Sequence, residues 1–554
     1  MTNLRRCLRI LGRSIALLLV LGMLASTVPR GPASTRAPIR VLISGAALPT
    51  SRTAVQAVGG VIIMALAHSQ VLVADIPSSA LPTLQAAGLH IIPDGMVTGA
   101  ATLLDSATEP PTSLLYPSEA IGASALQQNG LTGAGVTVAV IDSGMPPLDK
   151  PDQWTQVSTN TLAYGVGQAR LPSLSATRLF SESLPLPWFV VYKDLVTTTP
   201  IVNSADPYGH GTHVVATLAD GRKANTPGFS KATVGIAPGA NLVVVRALDA
   251  DGRAPYSRII AAIEWVISQR ATLGIRVLNL SIQADIHGPY WFDPLNQAVM
   301  AAWDAGITVV VAAGNTGPRP ATITVPGNVP YVITVGALKP GRYTANGIDA
   351  LAQYSAAGPT ESKFIKPDVV IAGSRVIAPL PAGSVLAPQA GLMREKAKLE
   401  LPKFKSAVDL NYYALSGTSM AAAETSGLVA LLLEDEPTLT NNQVKYRLIT
   451  TAQVATDGQG NAAASVWQQG AGKVNPSAMI TGTTTQAANQ GLSLADDRNH
   501  ENGTHYLGLT EYMSDTHAFT YPAPTVTLPG YNSWAGSYNS WAGSYNSWAG
   551  SYNS

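Results

Sequence analysis

The chain has little charge and almost no cysteine. Asp, Glu, Lys and Arg make up 12% of its 554 residues, about half the usual share near 25%. Lys plus Arg (35) and Asp plus Glu (34) nearly cancel, leaving +1. That balance gives no electrostatic basis for nucleic acid as a partner or for docking on an anionic membrane. The single cysteine, Cys7, lies before the first apolar run, whereas a lipid-attachment cysteine would follow it. The rest of the chain therefore cannot be a disulfide scaffold, a thiol enzyme or a thiolate zinc protein. Apolar residues are plentiful at 46%, enough for a large core and more than one domain.

At the N-terminus, Arg5, Arg6, Arg9 and Arg13 precede an apolar run over about residues 15–25, followed by small residues and Pro29. Residues 1–30 have the pattern of a secretory signal peptide. A retained membrane anchor is the alternative, but about a dozen apolar residues fall short of the roughly 20 that span a bilayer. Arg5-Arg6 is compatible with twin-arginine export. The expected location is extracellular, either secreted or at the cell surface.

Residues 38–98 form a first unit. RVLISG (40–45), VLVADI (71–76) and LHIIPDG (89–95) read as strands, and SSALPTLQAAG (78–88) as a short helix stopped by Gly88. Residues 99–120 are a linker rich in Pro, Ser and Thr, suited to a protease-sensitive connection. From 121 to 482 the pattern becomes apolar strand, Gly-rich turn and helix. VTVAVID (136–142), NLVVVRAL (241–248), VLNLSI (277–282), ITVVVAAG (307–314) and YVITVGAL (331–338) are continuous apolar runs, as in a parallel sheet covered on both faces. SRIIAAIEWVISQ (257–269) and DPLNQAVMAAWDAG (293–306) read as helices between them. The alternation predicts one large three-layer α/β domain with a mainly parallel central sheet. Residues 483–554 are a polar extension ending in YNSWAGS repeats. Aromatics there alternate at steps of three and four, the coiled-coil spacing, but Asn, Ser and Gly favour a flexible aromatic tail. That tail is a candidate for carbohydrate or cell-surface contact.

Reactive groups in such a sheet collect at the carboxyl ends of strands. Asp142 ends VTVAVID and meets a sharp Ser143-Gly144 turn; a carboxylate there can be held against a histidine, although a lone Asp-Ser-Gly reads first as a turn. His210 and His213, three apart in DPYGHGTHVVATLAD (206–220), share one side of a helix. The spacing suits two metal ligands, but Asp206 and Asp220 form no clear third-ligand pattern. Gly209 and Gly211 leave His210 uncrowded, while His213 reads as a core histidine. Asn315 follows an apolar strand in a Gly-flanked turn, where its amide could donate to an oxyanion. Ser419 follows Gly417 and opens an apolar helix whose positive end would face any charge forming there.

VAVIDSG (138–144), HGTHV (210–214), GIAPGA (235–240), AAGN (312–315) and SGTSMAA (416–422) together resemble the subtilisin-like serine protease family. The likeness covers about 120–480 and keeps the family's Asp–His–Ser order. It implies the subtilisin fold, polypeptide substrates and a catalytic triad. Ser419 would be the nucleophile, His210 the general base and then acid, and Asp142 the residue that orients His210; Asn315 and the Ser419 N–H would form the oxyanion hole. No cofactor is required for that chemistry. The implied substrate cleft takes a strand at Gly252, Arg253 and Ala254, with Tyr256 beside the S4 pocket. LSIQ (280–283) supplies the opposite strand, with Ser281 at the S1 rim and Gln283 narrowing it; Gly314 completes the set. Residues 38–98 resemble the family's inhibitory propeptide, a small α+β prodomain acting as intramolecular inhibitor and chaperone. The resemblance then implies self-cleavage between about 97 and 120.

Several stretches depart from that pattern. Ala423-Glu424 stands where Pro-His is usual, placing a charge near the nucleophile and tuning activity. Residues 220–235 replace a loop that often binds calcium, which leaves the metal sites unassigned and structural calcium open. Residues 379–413 are a long charged segment, expected near the cleft as a lid or specificity loop. Two other readings compete. An α/β-hydrolase esterase would need G-x-S-x-G and the order Ser, Asp, His, and both are contradicted here. A catalytically weak or inactive surface-binding protein of the same fold draws its support from Ala423-Glu424.

Overall fold

A computed structural model describes residues 37–101, 116–145, 154–158, 161–164, 190–197, 206–222, 233–344, 346–390, 410–457, 459–499, 505–514 and 518–520. The signal-like N-terminus, most of the linker, residues 223–232 of the replaced loop, 391–409 of the charged segment and the YNSWAGS tail lie outside them. The chain divides into two compact units, residues 1–94 and 95–554. No helix among the described residues is long and apolar enough to cross a membrane.

In the first unit, strands β1 (Ile39–Ser44), β2 (Val61–Leu66), β3 (Val71–Ile76) and β4 (His90–Pro93) form a sheet in the order β2-β3-β1-β4. β1 pairs antiparallel with both β3 and β4. Val41, Ile43, Leu72, Ala74 and Ile76 share a core with Val55 and Leu84 of the helices Leu48–Ala57 and Leu81–Ala86. The strand β2 and the helix before it were not foreseen. The helix mixes its apolar residues with Pro, Thr, Ser, Arg and Gln, which blurs its period. β2 is the unbroken run VIIMAL, which has no alternation to mark it although most of it is not buried.

The second unit begins at Gly95 with a short strand, β5 (Met96–Gly99), most of which was read from the sequence as the end of the first unit. Its central sheet contains β6 (Thr137–Asp142), β7 (Trp154–Ser158), β8 (Thr161–Tyr164), β9 (Val190–Asp194), β10 (Asn241–Arg246), β12 (Ile275–Leu280), β14 (Thr308–Ala312), β15 (Ile333–Lys339), β16 (Ala350–Leu351) and β17 (Val369–Ala372). The order is β16-β15-β14-β12-β6-β10-β9-β8-β7, with β17 also on β15. The pairs joining β9, β10, β6, β12, β14, β15 and β17 are parallel, and β7, β8 and β16 are antiparallel additions. β6, β14 and β17 are buried at every residue, as the continuous apolar runs required. Helix His210–Ala219 packs with Thr418–Asp435, and Tyr256–Leu273 with Pro294–Asp304; both pairs rest on the sheet, giving three layers.

Of the charged segment 379–413, the described residues comprise the end of β18 (Val376–Pro381), which is buried throughout, a short helix over Leu386–Ala390 and the start of β19 (Leu410–Leu415), which pairs antiparallel with β18. The run 391–409 lies outside the described residues. Residues 483–499, grouped with the polar extension by composition, are anchored in the second unit. Asp497 is fully buried and accepts from the hydroxyls of Tyr290 and Tyr331, the latter at 2.6 Å.

Candidate functional site

Asp142 is the last residue of β6, in the middle of the sheet, so its carboxylate emerges at the carboxyl edge. Its Oδ1 accepts from the Ser143 N–H and from His210 Nδ1, both at 2.7 Å, while Oδ2 is buried without a hydrogen-bond partner. His210 opens the helix His210–Ala219 from Gly209, whose φ of 96° is left-handed; a Cβ there would also lie 2.6 Å from Ser384 Oγ. The helix start is fixed from below by Asp206, whose carboxylate accepts from Gly209 N–H, Thr212 N–H and Thr212 Oγ1, each at 2.8 Å. Ser143 Oγ accepts from Gly211 N–H at 2.8 Å, joining the two elements again. His210 and Asp142 are fully buried, and His210 Nε2 has no hydrogen-bond partner.

His213 is not part of this arrangement. Its Nε2 donates to the carbonyls of Val376 and Tyr413 at 3.1 and 3.2 Å, clasping the β18–β19 hairpin. Burial drives its pKa down to about 3, so the ring is neutral and structural. The two histidines thus turn to different partners, His210 Nδ1 to Asp142 and His213 Nε2 to the Val376 and Tyr413 carbonyls. Among the described residues there is no cluster of three or more His, Cys, Asp or Glu that could hold a metal ion.

Ser419 lies in the first turn of the helix Thr418–Asp435, after Gly417. Its Oγ donates to the Ser281 carbonyl at 3.1 Å, while the Ser281 hydroxyl donates to the Ser419 carbonyl at 2.9 Å. A buried chain continues below: Asn279 Nδ2 donates to Ser281 Oγ and Ser426 Oγ donates to Asn279 Oδ1, both at 2.9 Å. Asn315 Oδ1 accepts from the Thr418 N–H and Oγ1, each at 3.0 Å. Those bonds fix the amide with its oxygen toward Thr418, leaving Nδ2 as a buried donor without a partner. Thr418, Asn279, Ser426 and Asp206 were missed as positioning residues. Thr418 and Ser426 show only as Ser/Thr positions flanking the alanine-rich run, and Asn279 as the one amide inside an apolar strand.

Of the implied cleft residues, Arg253 and Ala254 lie on the short strand β11 (Arg253–Pro255) and Gln283 on β13 (Ile282–Gln283), with β5 hydrogen-bonded between the two strands. Arg253 and Ala254 pair with Thr98 and Val97, and Gln283 pairs with Thr98 from the other side. The Gly252 carbonyl accepts from Gly99 N–H at 3.2 Å, and the Ser281 carbonyl from Ala100 N–H at 3.0 Å. Tyr256 N–H donates to the Gly95 carbonyl at 2.9 Å, so Tyr256 meets the strand through its main chain. Gln283 Oε1 accepts from Asn315 N–H at 2.9 Å, and Gly314 N–H donates to Thr418 Oγ1 at 3.2 Å; both brace the turn that carries Asn315. The Ser281 hydroxyl is held between Asn279 Nδ2 and the Ser419 carbonyl, while its main-chain carbonyl is the part that meets the strand.

Glu424, five residues past Ser419, is fully buried and neither carboxyl oxygen has a hydrogen-bond partner. Burial raises its pKa well above the usual carboxylate range. Burial therefore disfavours the charge expected at this position.

An aspartate–histidine pair and a helix-mounted serine at the carboxyl edge of a mainly parallel three-layer sheet define a subtilisin-like α/β protein. A match to the subtilase family (Peptidase_S8) covers residues 133–490, and the chain belongs to that family. It is 31% identical over 356 residues to serine protease AprX of Bacillus subtilis (strain 168), covering 62% of this chain and 66% of that protein. It is 32% identical over 342 residues to subtilisin E of the same organism, covering 61% and 66%. The matched stretches thus span just under two thirds of these relatives. The crystal structure of fervidolysin from Fervidobacterium pennivorans, a keratinolytic enzyme related to subtilisin, shares the fold with a TM-score of 0.52 at 19% identity, over 83% of this chain and 63% of that one.

Proposed function

We propose that this chain is a secreted serine endopeptidase, made as a precursor that removes its own leader and hydrolyses polypeptides through an acyl-enzyme intermediate. The observation that carries the reading is the buried Asp142–His210 pair at 2.7 Å, beside the helix that holds Ser419 in its first turn. Ser419 Oγ attacks the scissile carbonyl and gives its proton to His210 Nε2, the ring nitrogen with no hydrogen-bond partner. Asp142 keeps the proton on Nδ1 and stabilises the imidazolium. The Ser419 N–H and Asn315 Nδ2 donate to the oxyanion, and His210 then protonates the leaving amine. Because Ser419 Oγ is bonded to the Ser281 carbonyl, attack begins with rotation about its Cα–Cβ bond.

Main-chain pairing on both sides of the groove selects extended chain, which suits unfolded or loop segments of a substrate. Residues 38–98 act as inhibitor and chaperone of the same chain. No metal takes part in the proposed chemistry, and structural calcium is left to a separate role. The aromatic repeats add a surface contact, to carbohydrate or cell envelope. The test is expression of the precursor and of its Ser419→Ala form, followed by assays of self-cleavage and casein hydrolysis. Both activities are expected in the first and neither in the second. A folded wild type that stays full length and leaves casein intact ends the reading.

A further inference from the structure

The strand that fills the groove is part of the chain itself, and its end lies on the nucleophile turn. Ser419 N–H donates to the Ala100 carbonyl oxygen at 3.2 Å. Gly417 lies flush against the same peptide: a Cβ there would sit 2.5 Å from the Ala100 oxygen and 3.0 Å from the Ala101 Cα. The hydrogen bonds from Gly95 to Ala100 alternate between the two walls, so the register of this strand is fixed along its length. Of all the carbonyls in residues 95–101, that of Ala100 is the one held by an N–H of the nucleophile itself.

We infer that Ala100–Ala101 is the bond this precursor cuts in itself, and that residues 97–100, Val-Thr-Gly-Ala, spell a sequence its cleft prefers in other substrates. The inference rests on the peptidase reading. In the step itself, Ser419 Oγ bonds to the Ala100 carbonyl carbon and its proton passes to His210 Nε2. The bond to the Ala101 nitrogen breaks, that nitrogen takes the proton, and Ala101 becomes a new N-terminus. Water then hydrolyses the Ala100 ester, leaving a carboxylate on Ala100 and restoring Ser419.

The preference follows from what each side chain meets. Val97 and Ala100 are fully buried, whereas Met96 is 51% exposed. Thr98 pairs across both walls and Gly99 lies over the His210 ring. A Cβ on Gly99 would come within 3.2–3.4 Å of His210 Nδ1, Cε1 and Cγ, closer than ordinary contact. A branched side chain at that position would displace the base, so glycine is favoured one residue before the cut. Small Ala at the cut and aliphatic Val three residues before it complete the pattern.

The test is mass analysis of both fragments released by the full precursor. The leader fragment is expected to end at Ala100 and the larger fragment to begin at Ala101; the leader's C-terminus keeps the assignment even if the new N-terminus is trimmed. The processed enzyme should also cut the peptide Met-Val-Thr-Gly-Ala-Ala-Thr-Leu-Leu (96–104) between the alanines. Replacing its Gly by Val should slow that cut by about tenfold or more. A leader ending elsewhere, with casein still hydrolysed, overturns the assigned bond and leaves the peptidase reading intact. Equal rates for the Gly and Val peptides overturn the proposed preference. A folded precursor that cuts neither itself nor casein overturns both readings together.

Discussion

His210 Nδ1 lies 2.7 Å from Asp142 Oδ1, with both side chains fully out of solvent. The same oxygen accepts the Ser143 N–H, so the carboxylate is held in place independently of the histidine. Asp142→Asn therefore keeps the fold and loses the tautomer that leaves Nε2 free to take a proton. We expect kcat on a peptide substrate to fall by about 10⁴ with little change in Tm. A loss of less than tenfold would show that Asp142 does not orient the base.

The proposed oxyanion role of Asn315 is separable from its structural one, since Oδ1 accepts from Thr418 while Nδ2 has no hydrogen-bond partner. Asn315→Ala should lower kcat by about 10²–10³, a range established with a subtilisin, while KM moves little. Thr418→Val removes the Oγ1 bonds to Asn315 and Gly314 but keeps Asn315 Nδ2. It should cost less in kcat than Asn315→Ala, as steady-state kinetics on both variants will check.

His213 makes the second unit sensitive to acid. Its pKa is lowered from 6.5 to about 3 by burial. Below the unfolded value the unfolded chain binds a proton that the folded chain refuses, so this contribution is intact above about pH 6.5. It is lost as pH falls toward 3, at up to about 1.4 kcal/mol per unit. Because Nε2 clasps β18 and β19, hydrogen exchange in 376–381 and 410–415 should rise first on acidification. His213→Gln should flatten the Tm-against-pH curve in that window.

Glu424 works in the opposite direction. Its folded pKa is raised by burial, so stability is greatest below the unfolded value and declines as pH rises toward the folded one. Glu424→Leu removes a buried carboxyl with no hydrogen-bond partner and should stabilise by about 1–3 kcal/mol near neutral pH. The gain should shrink at pH 4. Thermal unfolding at the two pH values reads both, and a variant that is less stable at each would contradict the neutral-acid account.

The central strands were legible because burial on both faces forces unbroken apolar runs: VTVAVID ends in the structure at Asp142, as read. β9 was not, although it lies in the same sheet. Its sequence carries Lys193 and Asp194, which look like surface residues; only the fold supplies Arg246 to accompany Asp194, at 3.1 Å. The order of Asp142, His210 and Ser419 was visible through the turns and helix starts that carry them. The serine–asparagine chain beneath Ser419 was not, since Ser426 in an alanine-rich helix looks like any other small residue until Asn279 is packed against it. Least legible was the contact of Ala100 with Ser419. Thr-Gly-Ala-Ala-Thr has no periodicity or charge to mark it, and its meaning comes from two walls more than 150 residues further along the chain.

The most direct test of the account treats the processed enzyme with a sulfonyl fluoride and maps the adduct by peptide mass while casein hydrolysis is followed. The account predicts one adduct on Ser419, forming in step with the loss of activity, and no adduct there in His210→Ala. Full hydrolysis with Ser419 modified, or inactivation with the adduct on another residue, would contradict it.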